Sequence, residues 1–158
     1  MAKILKDSHS DWTFHLVGKD FDDDYSLQIK KLILQYDLEK TVYLYGSKQD
    51  INNILDKSTI GLLTSKSEGL PVALLEYGWL KLPVVVTQVG EIPSLIENGK
   101  NGFMVPSANP IFLYEALVSL IESDALRSDF GIALHRTIID NYAKTNVIKK
   151  YLNWVQNC

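Results

Sequence analysis

The stretch Thr64-Ser-Lys-Ser-Glu-Gly-Leu-Pro-Val-Ala-Leu-Leu-Glu-Tyr77 decides the fold, because a short apolar run leads into it and a helical pattern completes it. The run at residues 60–63 has the length of a strand and is rich in aliphatic residues. Pro71 suits the first position of a helix, and apolar residues follow it. A strand, a loop that contains Gly69 and a helix, in this order, predict one strand–helix unit of a parallel α/β sheet.

Short apolar runs alternate with helical spacing on both sides of this unit. The runs predict strands because they are rich in β-branched and aromatic residues, and several lack alternation, which is typical of strands buried on both faces. After Val105 only helical spacing continues. The sequence therefore predicts an α/β domain with a parallel sheet of about five strands and C-terminal helices. The predicted strands are residues 13–18, 42–45, 60–64, 84–87 and 103–105.

The composition is that of a globular protein. Of the 158 residues, 46% are hydrophobic and 22% are charged, and the net charge is −3. This length and apolar content favour one domain of ordinary size. The lysine pairs at residues 30–31 and 149–150 stand alone, so we expect neither a basic patch for nucleic acid nor a polybasic membrane anchor.

The sequence carries no pattern typical of export. Its start has no long apolar stretch, and no run approaches the roughly 18 apolar residues that cross a bilayer. The single cysteine, Cys158, cannot form a disulfide within the chain, which is typical of a reducing compartment. We therefore expect a cytoplasmic protein.

The loop and helix start around Pro71 have the features of an anion site. In open α/β sheets, ligands bind outside the carboxyl ends of the strands, where this loop begins. Gly69 allows the backbone to approach a ligand closely or to adopt a positive φ. Main-chain amides at a helix start bind anions such as a pyrophosphate. Because Pro71 has no N–H, we expect the donors at Gly69, Leu70 and Val72.

Two glutamates lie in this segment. Glu76 falls on a helix that is apolar nearly all round, so its carboxylate needs partners, which sugar or ribose hydroxyls would supply. The alternative is that Glu76 caps a backbone amide or reaches solvent at the helix edge. For Glu68 the alternatives are an exposed loop carboxylate or a cap of the helix at Pro71. Spacing alone leaves these interpretations open.

The separation of Glu68 and Glu76 resembles the E-x7-E motif of retaining glycosyltransferases with the GT-B fold, the glycosyltransferase group 1 family (family 4). The stretch Leu82-Pro-Val-Val-Val-Thr-Gln-Val-Gly90 is similar to the motif that follows in this family, and so is Glu97-Asn-Gly-Lys-Asn-Gly-Phe-Met-Val-Pro106. An E-x7-E pattern by itself is weak, but its combination with the downstream motif in this order is specific. The resemblance covers nearly the whole chain.

This resemblance implies the C-terminal half of a GT-B enzyme, a Rossmann-like three-layer domain that binds a nucleoside-diphosphate sugar. In such a site Glu68 is the catalytic residue and contacts hydroxyls of the donor sugar, while Glu76 holds the ribose hydroxyls. Main-chain amides of residues 69–72 face the sugar and the diphosphate. The further donor-binding residues that it implies are Gly69, Leu70, Pro71, Val72, Gly90 and Glu91, with Ile92 beside them, and Gly46 and Ser47 at the rim near the base.

The resemblance also implies parts that residues 1–158 do not contain. The family neutralises the diphosphate with an Arg and a Lys in the first strand–loop–helix of this domain, and these are expected to precede Ala2. The acceptor-binding N-terminal domain is expected there too. Residues 1–158 would then be the donor-binding domain of a longer parent chain. We expect any peripheral contact with the inner face of the membrane to be made by that parent chain. Glu91 stands where the family more commonly has a second glycine.

The predicted function is transfer of a hexose from a nucleoside-diphosphate sugar to a saccharide or lipid acceptor, with retention. The nucleotide sugar is the donor substrate, no cofactor is expected, and the isolated chain is expected to be inactive. One alternative is a non-catalytic nucleotide-sugar-binding or regulatory module of the same fold. Another is a different nucleotide-binding α/β domain of flavodoxin-like shape, in which the glutamates are incidental.

The run Asp22-Asp-Asp24 matches the Asp-x-Asp pattern by which metal-dependent GT-A transferases hold a divalent ion. The alternative is that these acids begin the helix near Tyr25, where the helix dipole favours negative charge. The GT-B-like character of the remaining chain favours the second interpretation. His9, His15 and His135 are scattered without metal-ligand spacing, so we predict no metal site.

Overall fold

A computed structural model describes residues 1–156 apart from the side chain of Lys150, so Cys158 lies outside the described residues. Strands alternate with helices as far as Val105, and helices alone follow, as the sequence predicts. None of the described helices is long and apolar enough to cross a bilayer. In chain order the elements are α1 (Ala2–Ser8), β1 (Phe14–Leu16), α2 (Asp24–Gln35), β2 (Val42–Leu44), α3 (Ile51–Asp56), β3 (Gly61–Leu63), α4 (Val72–Trp79), β4 (Val84–Thr87), α5 (Ile92–Leu95), β5 (Phe103–Val105), α6 (Pro110–Ile121), α7 (Asp124–Tyr142) and α8 (Lys144–Gln156).

The chain forms two compact units, of which the first is Met1–Ile51 and the second begins at Asn52. In the first unit β1 pairs with β2, and in the second the strand order is β3–β4–β5. All three pairings are parallel. The α/β architecture and the five parallel strands are therefore confirmed. Among the described residues, however, the strands form two separate sheets, one of two strands and one of three, whereas the sequence predicts a single sheet.

The second unit is built around β4. Residues 84–86 are fully buried, which explains why this run is apolar without alternation. Leu74 of α4 and Leu134 of α7 belong to the same buried cluster. The two helices approach each other closely at Gly78, where a Cβ atom would overlap the side chain of Ile138. Helix α4 is therefore fixed against the core, and so is the point where it begins.

Two prolines lie at helix starts. Pro110 is the first residue of α6, and Asn109 caps this helix by accepting a hydrogen bond from the main-chain N–H of Phe112. Pro71 is instead the N-cap of α4, because its ψ of 115° is extended and α4 begins at Val72. The prediction that Pro71 is the first helical residue is therefore wrong by one position.

The acidic run before α2 serves the start of that helix, as the second interpretation predicts. Asp23 is the N-cap and accepts a hydrogen bond from the main-chain N–H of Ser26 at 2.8 Å. Lys30 Nζ lies 2.6 Å from a carboxylate oxygen of Asp20 and 3.1 Å from one of Asp22. The hydrogen bond from Lys30 lowers the pKa of Asp20 from 3.8 to about 2. In the part of the chain that the structure describes, no group of three or more His, Cys, Asp or Glu side chains could hold a metal ion.

Candidate functional site

The candidate site lies at one edge of the three-stranded sheet. Because β3, β4 and β5 are parallel and adjacent, their carboxyl ends meet at the same edge. The register pairs Leu63 with Val86 and Val86 with Met104. The loops that leave β3 and β4 at this edge contain the motif residues that the sequence singles out.

Glu68 is held in place by hydroxyl groups. Ser65 Oγ donates a hydrogen bond to Glu68 Oε1 at 2.6 Å. Ser65 is held in turn by Thr87, whose Oγ1 donates to the main-chain oxygen of Ser65 at 2.7 Å. Thr87 is only 3% exposed and ends β4, so its position is set by the sheet. Glu68 is thus a partly buried carboxylate with a hydrogen-bond partner, which differs from the freely exposed loop carboxylate of the alternative interpretation.

The alternative role of Glu68 as a helix cap is not found. The N-cap of α4 is Pro71, and no side chain among the described residues caps this helix. The serine that holds Glu68 is the residue that sequence reasoning missed. The spacing Ser-x-x-Glu is that of a capping box, but α4 begins only at Val72, so this pattern gave no signal for a bond between the two side chains. Thr87 offered a weak signal, as the polar end of an apolar strand.

Gly90 brings the loop after β4 against the loop after β3. Its φ of +53° lies in the left-handed region, which favours glycine. A Cβ atom at this position would overlap the main-chain oxygen of Glu68 and lie 2.7 Å from its carbonyl carbon. Both the backbone angle and the close approach therefore require glycine. The structure thus brings together two residues that the resemblance places in one site.

The residues after Gly90 take different roles. Glu91 is exposed and is the N-cap of α5, and its main-chain oxygen accepts a hydrogen bond from Ser94 Oγ. Its side chain makes no capping hydrogen bond to the described residues. Ile92 is fully buried in the core and cannot line a site. Gly90 and Glu91 are therefore accessible at the edge of the sheet, while the buried side chain of Ile92 fixes the loop to the core.

The start of α4 is open. Gly69, Leu70 and Val72 are exposed, with Val72 at 66%, whereas Pro71 is buried. Gly69 does not take a positive φ, and a Cβ atom there would meet no described atom within 4 Å. The expectation that Gly69 adopts a positive φ is therefore wrong. The close approach of a ligand to its backbone remains a prediction. A helix start without a side-chain cap suits an anion.

Glu76 lies in the second turn of α4 and is partly buried. Its carboxylate accepts no hydrogen bond from the described residues, so the backbone-capping alternative is not found. The next residue, Tyr77, packs its ring against Gly61 of β3, where a Cβ atom would lie 2.7 Å from the ring. Burial raises the pKa of Tyr77, and the negative charge of Glu76 raises this pKa further. Glu76 is thus a charged group without a described hydrogen-bond partner.

A cavity of about 220 Å³ opens at the same edge of the sheet. Its walls are mainly apolar and come from the ends of all three strands and from the start of α6. Lys66 is the one cation among the described residues that line it. The lining residues at the strand ends are Thr64, Lys66, Thr87 and Pro106, and Asn109 and Leu113 come from the α6 side.

Gly46 and Ser47 belong to the first unit and follow β2. Gly46 has a φ of +65°, and its main-chain oxygen accepts a hydrogen bond from the Gly18 N–H at 3.1 Å. This contact joins the loop after β2 to the loop after β1. The placement of Gly46 and Ser47 at the rim of a nucleotide site stays a prediction.

Comparison with known proteins gives a consistent result. Residues 1–136 match the family model described as "Glycosyl transferases group 1". The chain is 29% identical over 154 residues to the poly(ribitol-phosphate) alpha-N-acetylglucosaminyltransferase of Staphylococcus aureus (strain COL), covering 97% of this chain and 31% of the relative. It is 34% identical over 132 residues to the amylovoran biosynthesis glycosyltransferase AmsK of Erwinia amylovora, covering 78% of this chain and 32% of the relative.

A solved structure shares the fold. The crystal structure of an S. aureus TarM mutant in complex with fondaparinux, alpha-GlcNAc-glycerol and UDP superposes with a TM-score of 0.85 at 26% identity. The match covers 96% of this chain and 30% of the TarM chain. This chain thus spans about a third of the length of the curated relatives that it matches. Because the family model matches most of the chain and the Rossmann-like α/β fold agrees, the chain belongs to the glycosyl transferases group 1 family.

Proposed function

We propose that this chain is the donor-binding domain of a glycosyltransferase. The parent enzyme transfers a hexose from a nucleoside-diphosphate sugar to a saccharide or lipid acceptor, with retention at the anomeric carbon, as in family 4. The membership of the family supports the enzyme class. The names of the relatives and the UDP bound in the TarM structure support a nucleotide-sugar donor.

The observation that carries the proposal is the position of Glu68. Its carboxylate is held by Ser65 at the carboxyl edge of a parallel sheet and lies beside the Gly90 loop. Ligands of open α/β sheets bind at this edge. A carboxylate is a hydrogen-bond acceptor with two oxygens, and the hydroxyls of a sugar are the matching donors. Glu68 would therefore hold the donor sugar close to its reacting carbon.

The nucleotide part of the donor would lie along the start of α4. The first amides of this helix and its dipole favour the diphosphate. Glu76 carries a carboxylate without a described partner, and ribose hydroxyls would supply one. Glu91 and the Gly90 loop would border the sugar. Catalysis in the parent would rest on positioning and on stabilising the departing diphosphate.

The proposal extends to the parent and its place in the cell. The parent chain would contain the acceptor-binding domain and the Arg and Lys that neutralise the diphosphate. The curated relatives are about three times as long as the part that matches this chain. A cytoplasmic parent would reach a lipid acceptor at the inner face of the membrane. Without those cations the isolated chain would be inactive and would bind nucleotide weakly, at roughly millimolar dissociation constants.

A nucleotide titration tests this proposal. A ¹⁵N-labelled sample of the chain is titrated with UDP, GDP and ADP in turn. Each nucleotide is added up to about ten times the expected millimolar dissociation constant. One of the three nucleotides should shift the amide signals of Gly69 and residues 72–76 while leaving those of α7 in place. No shift in this segment with any nucleotide contradicts the proposal. Shifts spread evenly over both units indicate non-specific binding and contradict it as well.

A further inference from the structure

We infer that Ser65 is a positioning residue, which orients the Glu68 carboxylate for the donor sugar; this inference rests on the proposed function. Ser65 Oγ lies 2.6 Å from Glu68 Oε1. A hydroxyl that donates to an ionised carboxylate makes one of the stronger hydrogen bonds in proteins. Because Ser65 uses Oε1 and no described group bonds to Oε2, the second oxygen of Glu68 stays open to a hydroxyl of the sugar.

Ser65 can orient Glu68 because it is itself fixed to the sheet. Thr87 Oγ1 donates a hydrogen bond of 2.7 Å to the main-chain oxygen of Ser65. Thr87 is 3% exposed and follows residues 84–86, which are fully buried. A path of two hydrogen bonds therefore connects the rigid end of β4 to the carboxylate. Rigid elements place functional groups more accurately than loops do.

A second restraint acts on the backbone of Glu68. The Gly90 loop abuts the main-chain carbonyl of Glu68, where no Cβ atom could be accommodated. Gly90 thus limits the movement of the backbone, and Ser65 limits the rotation of the side chain. The side-chain restraint matters because a glutamate side chain has several rotatable bonds and loses rotamer freedom when it binds. Ser65 reduces the part of this entropy that the ligand would otherwise have to offset.

The competing interpretation is a local contact within the loop, since Ser65 and Glu68 are only three residues apart. Such a contact would support the fold of the loop only. The two interpretations differ in their consequences for ligands. A positioning residue affects the sugar, which Glu68 contacts, and leaves the nucleotide unaffected. A structural residue affects both ligands, because the whole loop and the start of α4 depend on it.

The first test measures the order of Glu68 directly, without a ligand. NMR relaxation of the Glu68 side chain is compared in the wild type, Ser65→Ala, Ser65→Thr and Ser67→Ala. We expect Glu68 to become mobile in Ser65→Ala and to stay ordered in Ser65→Thr, which keeps the hydroxyl. Ser67→Ala is the matched control, because Ser67 is exposed and lies in the same loop. Equal order of Glu68 in Ser65→Ala and in the wild type overturns the inference.

The second test separates the sugar from the nucleotide. UDP-N-acetylglucosamine and UDP are titrated into the same four proteins. We expect Ser65→Ala to weaken binding of the sugar nucleotide roughly tenfold and to leave UDP binding unchanged, and Ser65→Thr to restore it. An equal loss for both ligands, with a lower unfolding midpoint, overturns the inference. If the wild type binds neither ligand nor another nucleotide, the proposed function fails, while the relaxation measurement still decides the role of Ser65.

Discussion

Gly90 lies so close to the main chain of Glu68 that a Cβ atom on Gly90 would overlap the carbonyl oxygen of Glu68. The contact joins the loops that follow two neighbouring strands, β3 and β4. It requires glycine twice, because φ is positive at this residue and no space exists for a side chain. The position of the candidate catalytic carboxylate therefore depends on a residue more than one structural element away along the chain.

The first prediction concerns this contact. Gly90→Ala should lower the free energy of unfolding by about 2 kcal/mol or more, because alanine is strained at a φ of +53° and its methyl group overlaps Glu68. Chemical denaturation monitored by circular dichroism measures this difference. Gly69→Ala is the matched control and should change stability by less than about 0.5 kcal/mol, since position 69 is open. Equal stability of the two variants would contradict the importance of the contact.

The second prediction separates the roles of the two glutamates under the proposed function. Glu68→Gln should weaken binding of UDP-N-acetylglucosamine roughly tenfold and leave UDP binding unchanged, because Glu68 contacts the sugar. Glu76→Gln should weaken both ligands to a similar extent, because Glu76 holds the ribose that both contain. NMR titration of the two variants against the wild type measures these constants. Equal weakening of both ligands by Glu68→Gln would contradict the assignment of Glu68 to the sugar.

The third prediction is a pH effect in the first unit. The hydrogen bond from Lys30 lowers the pKa of Asp20 to about 2 from an ordinary value of 3.8. Because this folded-state pKa is lowered, the Asp20–Lys30 pair contributes to stability above pH 3.8, and its contribution is lost as the pH falls towards 2. Lys30→Met should return the pKa of Asp20 towards 3.8, as followed by NMR of the carboxyl carbon.

Lys31→Met is the control for this measurement, because Lys31 is exposed on the same helix and carries the same charge. It should leave the titration of Asp20 in place. If Lys30→Met and Lys31→Met shift the pKa of Asp20 equally, the cause is the general charge of the helix and not the hydrogen bond.

The fourth prediction uses Tyr77 as a probe of the charge on Glu76. Burial and the neighbouring carboxylate raise the pKa of Tyr77 above its ordinary value of 10.0. Because the folded state holds this proton more tightly, the free energy of unfolding should fall as the pH rises above 10.0. Glu76→Gln should lower the pKa of Tyr77 only in part, since burial is the larger cause. NMR of the tyrosine ring carbons follows this titration.

Glu115→Gln serves as the control for Tyr77, because Glu115 is an exposed glutamate on a different helix. Its substitution should leave the pKa of Tyr77 unchanged. A fall in this pKa to 10.0 in Glu76→Gln would show that charge, and not burial, dominates.

Local patterns were sufficient for several elements in both units. The uninterrupted valines at residues 84–86 indicated a strand buried on both faces, and they lie at the centre of the sheet with no exposed surface. Pro110 is a residue type that suits a helix start, and α6 begins there. The acids before α2 were assigned to a helix start, and Asp23 caps it. Each of these features depends on residues that lie close together in the sequence, where the rules of periodicity and helix capping apply.

Sequence patterns did not determine the exact start of α4 or the pairing of the strands. Pro71 fits either the N-cap or the first helical position, and its extended ψ selects the N-cap. The sequence likewise could not show that the strands form two sheets. Strand pairing depends on which edges meet in space, and periodicity carries no information on that.

The sequence by itself determined the order of strands and helices, the separation of Glu68 and Glu76 and the family to which they belong. Only the tertiary structure decided what surrounds Glu68. The parallel register of β3 and β4 brings the Thr87 hydroxyl to the main chain of Ser65 and the Gly90 backbone to that of Glu68. These contacts join residues about twenty positions apart. Local spacing cannot encode them, because they arise only when two strands align.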